Sequence, residues 1–463
     1  MSTNVTLTGI STATEALRAR LGDRVVPRDD PRFAQTAAVF VGGPDRTPAL
    51  LVRPQDADEV ALALAVAQDH GLPVAVRSGG HSLARFGLVE DGLVIDLRLL
   101  DDIELDADAG VGRAGGGARA GDYTVAAGER GLATGFGDTG SVGIAGLALG
   151  GGIGYLSRRD GLTLDNVLAG DVVLADGRQV HASADEEPEL FWALRGGGGN
   201  LGVVTRLHLR LVPQGPVTGG VLMVPLTARG LADAVAIAHA APEELTVIVN
   251  AMVVPPMPFL PPEVHGKAVL ALQVAWSGDP GQGEAAVAPL RALGAAVLDM
   301  VGQQPYAALF QGGPAPTPMR SSGRTGFLQA DAVDEAWAQR AIDLVTTAPA
   351  AVATVNVRPM GGAIGRVPAD ATAFAHRDHD LMVTSSAMVI DDAGVPAAEG
   401  WSGDAESGLG FGGPSYVNWL GAVGEASSRA AYPGATWDRL AAAKAQYDPE
   451  NVLRANHNVP PTA

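Results

Sequence analysis

Apolar and polar positions along this chain recur with two different periods, and the order in which the periods change predicts its elements. Residues 56–70, DADEVALALAVAQDH, repeat apolar residues at helical spacing, with Asp56 or Asp58 able to cap the start and Gly71 to end it. PVAVRS (73–78) follows as a short buried strand, GGHS (79–82) as a tight loop, and GLVIDLR (92–98) as a second strand. Helix, strand and glycine loop in that order predict an α/β layer with a ligand at the strand end. Further on, NVLAGDVVLAD (166–176) reads as a strand entering a turn at Asp176-Gly177. EPELFWALR (187–195) reads as a short helix closed by GGGGN, and LGVVTRLHLRLVP (201–213) as an alternating strand. Past Pro213 the texture changes. Residues 217–420 mix strands such as VTGGVLMVPL with amphipathic helices such as VDEAWAQRAIDLVTTA (333–348), which predicts a second, α+β domain. The tail, 437–461, reads as a helix followed by an extended, asparagine-bearing end.

Composition narrows the function classes. A chain of 463 residues suits two domains, or one with a large inserted lobe, and 47% apolar against 18% charged residues supports a sizeable core. A formal net charge of −19 repels phosphate polyanions and argues against a nucleic-acid partner. The absence of cysteine excludes disulfides, thiolate metal sites and a cysteinyl nucleophile. No basic start followed by an apolar run opens the chain, and no stretch of about 18 apolar residues follows, so a cytoplasmic enzyme without a membrane partner is expected.

The 61 glycines exceed the usual share of about 7% and fall in clusters. In RSGGHS (77–82), Gly79 and Gly80 let a backbone approach a pyrophosphate closely, while Arg77, Ser78 and Ser82 add charge and hydroxyl donors around His81. An ordinary glycine turn carrying a surface histidine fits the same six residues. The densest cluster, GFGDTGSVGIAGLALGGGIGY (135–155), lacks the GxGxxG spacing and the acidic residue about 20 positions on that a nicotinamide Rossmann site requires. It suits a long loop whose backbone lies against a flat ring system.

Taken in order, PVAVRSGGHS, GDTGSVGIAGLALGGGIGYLSRRDGLTLDN, DEEPELFWALRGGGGNLGVVT and YDPENVLRANHNVPP strongly resemble the berberine-bridge-enzyme-like branch of the vanillyl-alcohol-oxidase flavoprotein superfamily. The resemblance is dense over 45–213, close from Trp437 onward and thin across 217–410. It implies an α+β fold in which a PCMH-type FAD-binding domain, built from residues 1–213 plus the tail 426–463, carries an inserted antiparallel-sheet-and-helix substrate domain at 214–425. It implies FAD bonded through the flavin 8α carbon to His81. A histidine suits that bond because its imidazole is partly neutral at physiological pH. Many members add a second link from a cysteine where this chain has Thr139, so a bicovalent flavin is ruled out and the mono-covalent, 6-hydroxy-D-nicotine-oxidase-like subset is indicated. Asp138, Gly140, Val142 and Gly143 of the same segment join the expected FAD site, as do Gly146, Gly150, Gly151 and Gly154. Gly202 and Val203 follow after the GGGGN turn, and Asn456 and Asn458 in the tail, which project to one side of an extended segment.

GPSYVNWLG (413–421) resembles the family's YxNY-type segment, with Tyr416 and Asn418 matching and Trp419 replacing the second tyrosine. Tyr416 is the candidate base. A tyrosine base needs its pKa, about 10 unperturbed, lowered by a cation, and Arg377 is the candidate neighbour. Residues 371–383, ATAFAHRDHDLMV, resemble a strand of the substrate sheet, with Arg377 and His379 on one face and His376 on the other. That split argues against a metal held by His376 and His379. Tyr155, Arg377, His379 and Trp419 are the weaker substrate-side candidates. The expected chemistry is hydride transfer from a small organic substrate to flavin, with dioxygen as acceptor. A dehydrogenase with another acceptor and a flavin-binding protein without turnover remain alternatives.

Overall fold

The computed structural model describes residues 7–42, 46–256, 262–310, 319–421 and 424–462. The first residues of the N-terminal segment read for a secretory signal lie outside them. The helix predicted over 56–70 spans Ala57–Asp69; the Asp56 carboxylate accepts the Glu59 N–H at 2.8 Å, and Gly71 leaves the helix at φ +64. Its buried face, Val60, Ala63, Leu64 and Ala67, packs on a four-stranded sheet of β1 (Val25–Pro27), β2 (Leu50–Val52), β3 (Val74–Arg77) and β4 (Leu93–Asp96), in the order β1-β2-β4-β3. The last three strands run parallel. Parallel strands are covered on both faces, which is why PVAVRS and GLVIDLR read as unbroken apolar runs.

A second, antiparallel sheet joins β5 (Ile103–Asp106), β6 (Val111–Gly115), β8 (Val167–Val173), β9 (Gln179–Ser183) and β10 (Val203–Arg210) in the order β5-β6-β10-β8-β9. The single strand expected over 201–213 is in fact two, because β11 (Val212–Pro213) turns away to pair with β7 (Leu132–Ala133). The glycine segments 135–155 and 196–200 lie between this sheet and the next; the first, expected as one long loop, contains the helix Ile144–Gly150. The helix Pro188–Leu194 and the tail helix Ala435–Tyr447 share one core, in which Phe191 and Leu194 meet Trp437, Leu440 and Tyr447.

The third sheet, also antiparallel, has eight strands: β12 (Val217–Pro225), β13 (Leu245–Val253), β14 (Ala268–Trp276), β15 (Leu298–Asp299), β16 (Gly302–Gln304), β17 (Arg320–Leu328), β18 (Val352–Pro359) and β19 (Leu381–Val389). Three helices, Ala228–Ala240, Glu335–Thr346 and Val395–Leu409, cover one face, burying Leu231, Val235, Trp337, Ala341 and Trp401 against Val247, Val249, Leu272 and Val355. The opposite face carries Asn250, Asn356 and Arg358 and looks toward the glycine loops.

The strand expected over 371–383 begins only at Leu381. Residues 371–380 are irregular because their backbone finds partners outside the sheet: Ala373 N–H donates to Arg195 O at 3.0 Å, and Ala371 O accepts from the Arg195 guanidinium at 3.2 Å. The two-face argument for His376 and His379 therefore fails. Both rings lean on Phe327, with centroids 6.2 Å apart, and His376 Nε2 meets Ala431 O at 3.1 Å. Among the described residues, no helix is long and apolar enough to cross a membrane.

Candidate active site

A cavity of about 370 Å³ opens where the strand ends of the first two sheets meet the large one. One wall is the loop after β3. Gly80 sits at φ +78, a conformation glycine adopts without strain. Gly79 lies so close to Gly143 that a Cβ on it would come within 2.2 Å of the Gly143 nitrogen, so two backbones cross where either side chain would separate them. Beside this crossing the Ser78 hydroxyl is buried on the cavity wall without a hydrogen-bond partner in the protein. A buried hydroxyl left unpaired costs about 1–3 kcal/mol, so this atom calls for a ligand.

His81 stands in the same wall. Its ring stacks on Phe40 with centroids 4.2 Å apart, and Ser141 Oγ lies 3.1 Å from Nε2. Burial, helped by the charge of Arg119, pulls its pKa down to about 4, so the imidazole is neutral at neutral pH. In the tautomer whose Nε2–H donates to Ser141 Oγ, the neutral ring keeps a lone pair on Nδ1.

The structure brings Ser82, Asp138, Thr139, Val142, Gly143, Gly146, Gly202, Val203, Trp419 and Asn456 to this cavity as well. Gly146 faces open space, with nothing within 4 Å of where a Cβ would stand. On the tail side, Asn456 Nδ2 donates to Gly199 O at 3.0 Å, while Asn456 Oδ1, His457 Nδ1 and the Tyr432 hydroxyl are buried without partners. Together with Ser78 they form a ring of unmet donors and acceptors around a space lined by glycine backbone.

Other expected site residues have different tasks. Arg77 reaches the cavity, but its guanidinium pairs with buried Asp96 at 2.9 Å and donates to Thr36 O at 2.6 Å, so its charge is spent inside the fold. Gly150, Gly151 and Gly154 are absent from the cavity lining. Their missing side chains make room for protein: a Cβ at Gly150 would meet Asn418 Oδ1 at 2.1 Å, one at Gly151 the Tyr416 ring at 2.7 Å, and one at Gly154 Phe136 O at 2.0 Å. Gly140 likewise packs against Gly121 and Phe310. Asn458 and Tyr155 lie off the lining, and Tyr155 packs edge-on against Phe310. Arg377 is locked to Asp165 at 2.7 Å, and His379 sits beside Asp378; neither lines the cavity.

Tyr416 does line it, and its phenol oxygen accepts the Gly152 N–H at 2.7 Å and the Asn418 amide N–H at 3.0 Å. The expected cationic neighbour is Arg358 rather than Arg377. Burial nevertheless outweighs both hydrogen bonds and that charge, pushing the phenol up to about 12. Arg358, which sequence reading missed, projects from β18 and lies over the Trp419 ring at 5.1 Å. It pairs with Asp138 at 2.5 Å and donates to Asn356 Oδ1 at 3.1 Å, and Asn356 in turn donates to Asn250. Phe40, Ser141 and Asn200 were missed too. Only Asn200 carried a local signal, as the last residue of the GGGGN turn.

Residues 48–183 match a family model described as an FAD binding domain, and residues 415–460 one described as berberine and berberine like. The chain is 30% identical to the (R)-6-hydroxynicotine oxidase of Paenarthrobacter nicotinovorans, over 95% of this chain and 97% of that one. It is 29% identical to an uncharacterized FAD-linked oxidoreductase of Bacillus subtilis, over 96% and 98%. The crystal structure of 6-hydroxy-D-nicotine oxidase from Arthrobacter nicotinovorans superposes with a TM-score of 0.84 at 28% identity, covering 95% of this chain and 98% of that chain. The xylooligosaccharide oxidase of Myceliophthora thermophila, solved in complex with xylobiose, superposes at 0.83 with 25% identity, covering 98% and 100%.

Proposed function

Given that the chain belongs to the berberine-bridge-enzyme-like FAD-linked oxidoreductases, we propose that it carries FAD covalently on His81 and oxidises a small polar organic substrate with dioxygen as acceptor. Membership makes it an FAD-dependent oxidoreductase that acts on a small molecule. The covalent reading rests on His81, a neutral imidazole fixed by Phe40 and Ser141 beside a glycine cradle. Ser141 occupies Nε2, which leaves Nδ1 for the bond. Thr139 stands where a second link would need a thiolate, so the attachment is single.

FAD held here would supply a hydride acceptor that dioxygen can reoxidise. The chain's own groups bind and orient. Ser78 Oγ and the backbones of Gly79 and Gly143 would hold the cofactor from one side, and Asn456 and His457 from the tail. Residues 1–213 and 426–463 act as one FAD-binding unit in this reading, with 214–425 as the substrate-binding unit. The shared core of Leu194, Leu440 and Tyr447 supports the union of the tail with the first segment. The Arg358–Asp138 pair presents both a cation and a carboxylate on the cavity wall, and we assign it the polar end of the substrate. Tyr416 remains a neutral phenol at neutral pH and therefore positions rather than accepts a proton. The relatives named as oxidases support dioxygen as acceptor.

The test has two parts. After acid precipitation the yellow colour should stay with the protein pellet, and a peptide containing His81 should carry the FAD mass. A panel of small alcohols, amines and oligosaccharides should then yield one class that releases hydrogen peroxide in air. Flavin in the acid supernatant would refute the covalent link. Flavin bleaching without peroxide would assign the enzyme to the dehydrogenases.

A further inference from the structure

Away from the cavity, three strands of the second sheet present a separate group of metal-ligating side chains. Asp171 on β8 stands directly opposite His181 on β9, and His208 projects from β10 on the other side of β8. Asp171 Oδ1 lies 2.7 Å from His181 Nδ1, Asp171 Oδ2 lies 3.2 Å from His208 Nε2, and the two rings meet edge to face at 5.3 Å. The three side chains are 41%, 40% and 19% exposed, so the group opens to solvent.

We propose that Asp171, His181 and His208 form a binding site for a divalent cation of the zinc class. One potential ligand atom from each residue lies within 4.8 Å of the others. Tetrahedral zinc with bonds of about 2.0–2.2 Å places its ligand atoms about 3.4 Å apart. The two aspartate–histidine contacts, 2.7 and 3.2 Å through different carboxylate oxygens, are hydrogen-bond distances, so the side chains must open to admit the ion between them. Two imidazoles and one carboxylate are a donor set suited to zinc rather than to calcium or magnesium, which prefer all-oxygen ligands. Strand backbone sets the three positions, with a register irregularity of β10 against β8 at His208–Leu209, so the ligands need no loop to order. Two cations stand close by, Arg206 opposite Asp171 and Arg113 opposite His208. Both are paired with carboxylates, Arg206 with Asp102 and Glu104 and Arg113 with Glu104, so they do not cancel the site's charge. A cation held here would clip the edge strand β9 to β8 and β10.

The test titrates zinc chloride into the flavin-loaded full-length protein, read by calorimetry and by metal content after gel filtration. One zinc per chain is expected, with a melting temperature that rises with zinc concentration, because a ligand of the native state stabilises it. Asp171→Asn should weaken binding by about tenfold or more. The double variant His181→Ala/His208→Ala should abolish it while keeping its flavin absorbance. With copper(II) as a second probe, electron paramagnetic resonance should show coupling to two imidazole nitrogens in the wild type and none in the double variant. Absence of stoichiometric zinc in the wild type would overturn the site. So would undiminished zinc in the double variant, which would place the ion among other histidines. Flavin content and peroxide release are read in parallel, so loss of the site is distinguishable from loss of the oxidase.

Discussion

His81 and Tyr416 were both legible as chemistry in the sequence, and the structure treats them in opposite ways. Burial lowers a histidine and raises a tyrosine, because in each case it disfavours the charged form. For His81, that makes the imidazole a free base with a pKa of about 4, as nucleophilic attachment requires. His81→Ala should therefore bind FAD only noncovalently, with the flavin leaving on acid precipitation. For Tyr416, the same physics leaves a phenol at about 12, which rules against an ionised base at neutral pH. A lost general base slows reaction by about 10²–10⁴-fold. We expect Tyr416→Phe to slow anaerobic flavin reduction by less than about tenfold and to leave its pH profile unchanged. A fall of two orders of magnitude would restore Tyr416 as the base. Arg358 carries the complementary expectation: Arg358→Met should raise KM for the polar substrate more than it lowers kcat, as loss of a binding group does. Arg358 was invisible beforehand, since nothing in ATVNVRPM distinguishes a cavity arginine from an edge one.

At the scale of elements, the tail helix and its extension close the cavity from a distance of more than two hundred residues. Lys444, one of only two lysines in the chain, is wholly buried; it donates to Asn200 O at 2.6 Å, to Asp448 at 2.6 Å and to Leu453 O at 2.9 Å. The tail is thereby pinned to the GGGGN turn. Removing one partner strands a buried charge, so Lys444→Met should destabilise the protein by about 3–5 kcal/mol, measurable by denaturant titration. Ending the chain after Asn451 leaves the helix whole but deletes Leu453, Asn456 and His457 from the cavity. That truncation should fail to retain flavin, and normal flavin content in it would count against the two-part FAD unit. Elements with strong local signals matched their expected positions: the capped helix at Ala57–Asp69 and the strands at Val74–Arg77 and Leu93–Asp96. The segment 371–380 did not, because its alternation mimicked a strand while its hydrogen bonds went outside the sheet.

Across the whole molecule, buried histidines set the response to acid. His376 and His457 are both held down to about 4 by burial. Their unfolded forms protonate near 6.5, so the unfolded state binds more protons between those values. Stability is then full above about pH 6.5 and falls as the pH drops toward 4, by about 1–3 kcal/mol for each residue. Melting curves between pH 7 and 4 should show this decline, and His376→Gln should reduce it by the share of one residue. A melting temperature constant over that window would contradict the burial of both rings.

What the sequence by itself determined is where backbones must approach closely. Only glycine permits the crossing of Gly79 over Gly143, and that requirement is written locally, as is the histidine beside it. The absence of cysteine excludes a cysteinyl flavin link for the same reason: composition needs no geometry. Which glycines face the ligand was decided only in three dimensions. Gly146 opens onto the cavity, whereas Gly150 and Gly151 give way to Asn418 and Tyr416, which arrive from more than 260 residues away. The partners of Arg77, Arg358 and Arg377 were fixed likewise, because a guanidinium pairs with whichever carboxylate the fold brings near. So was the meeting of His181 and His208 at Asp171, which depends on strand order that no local period records.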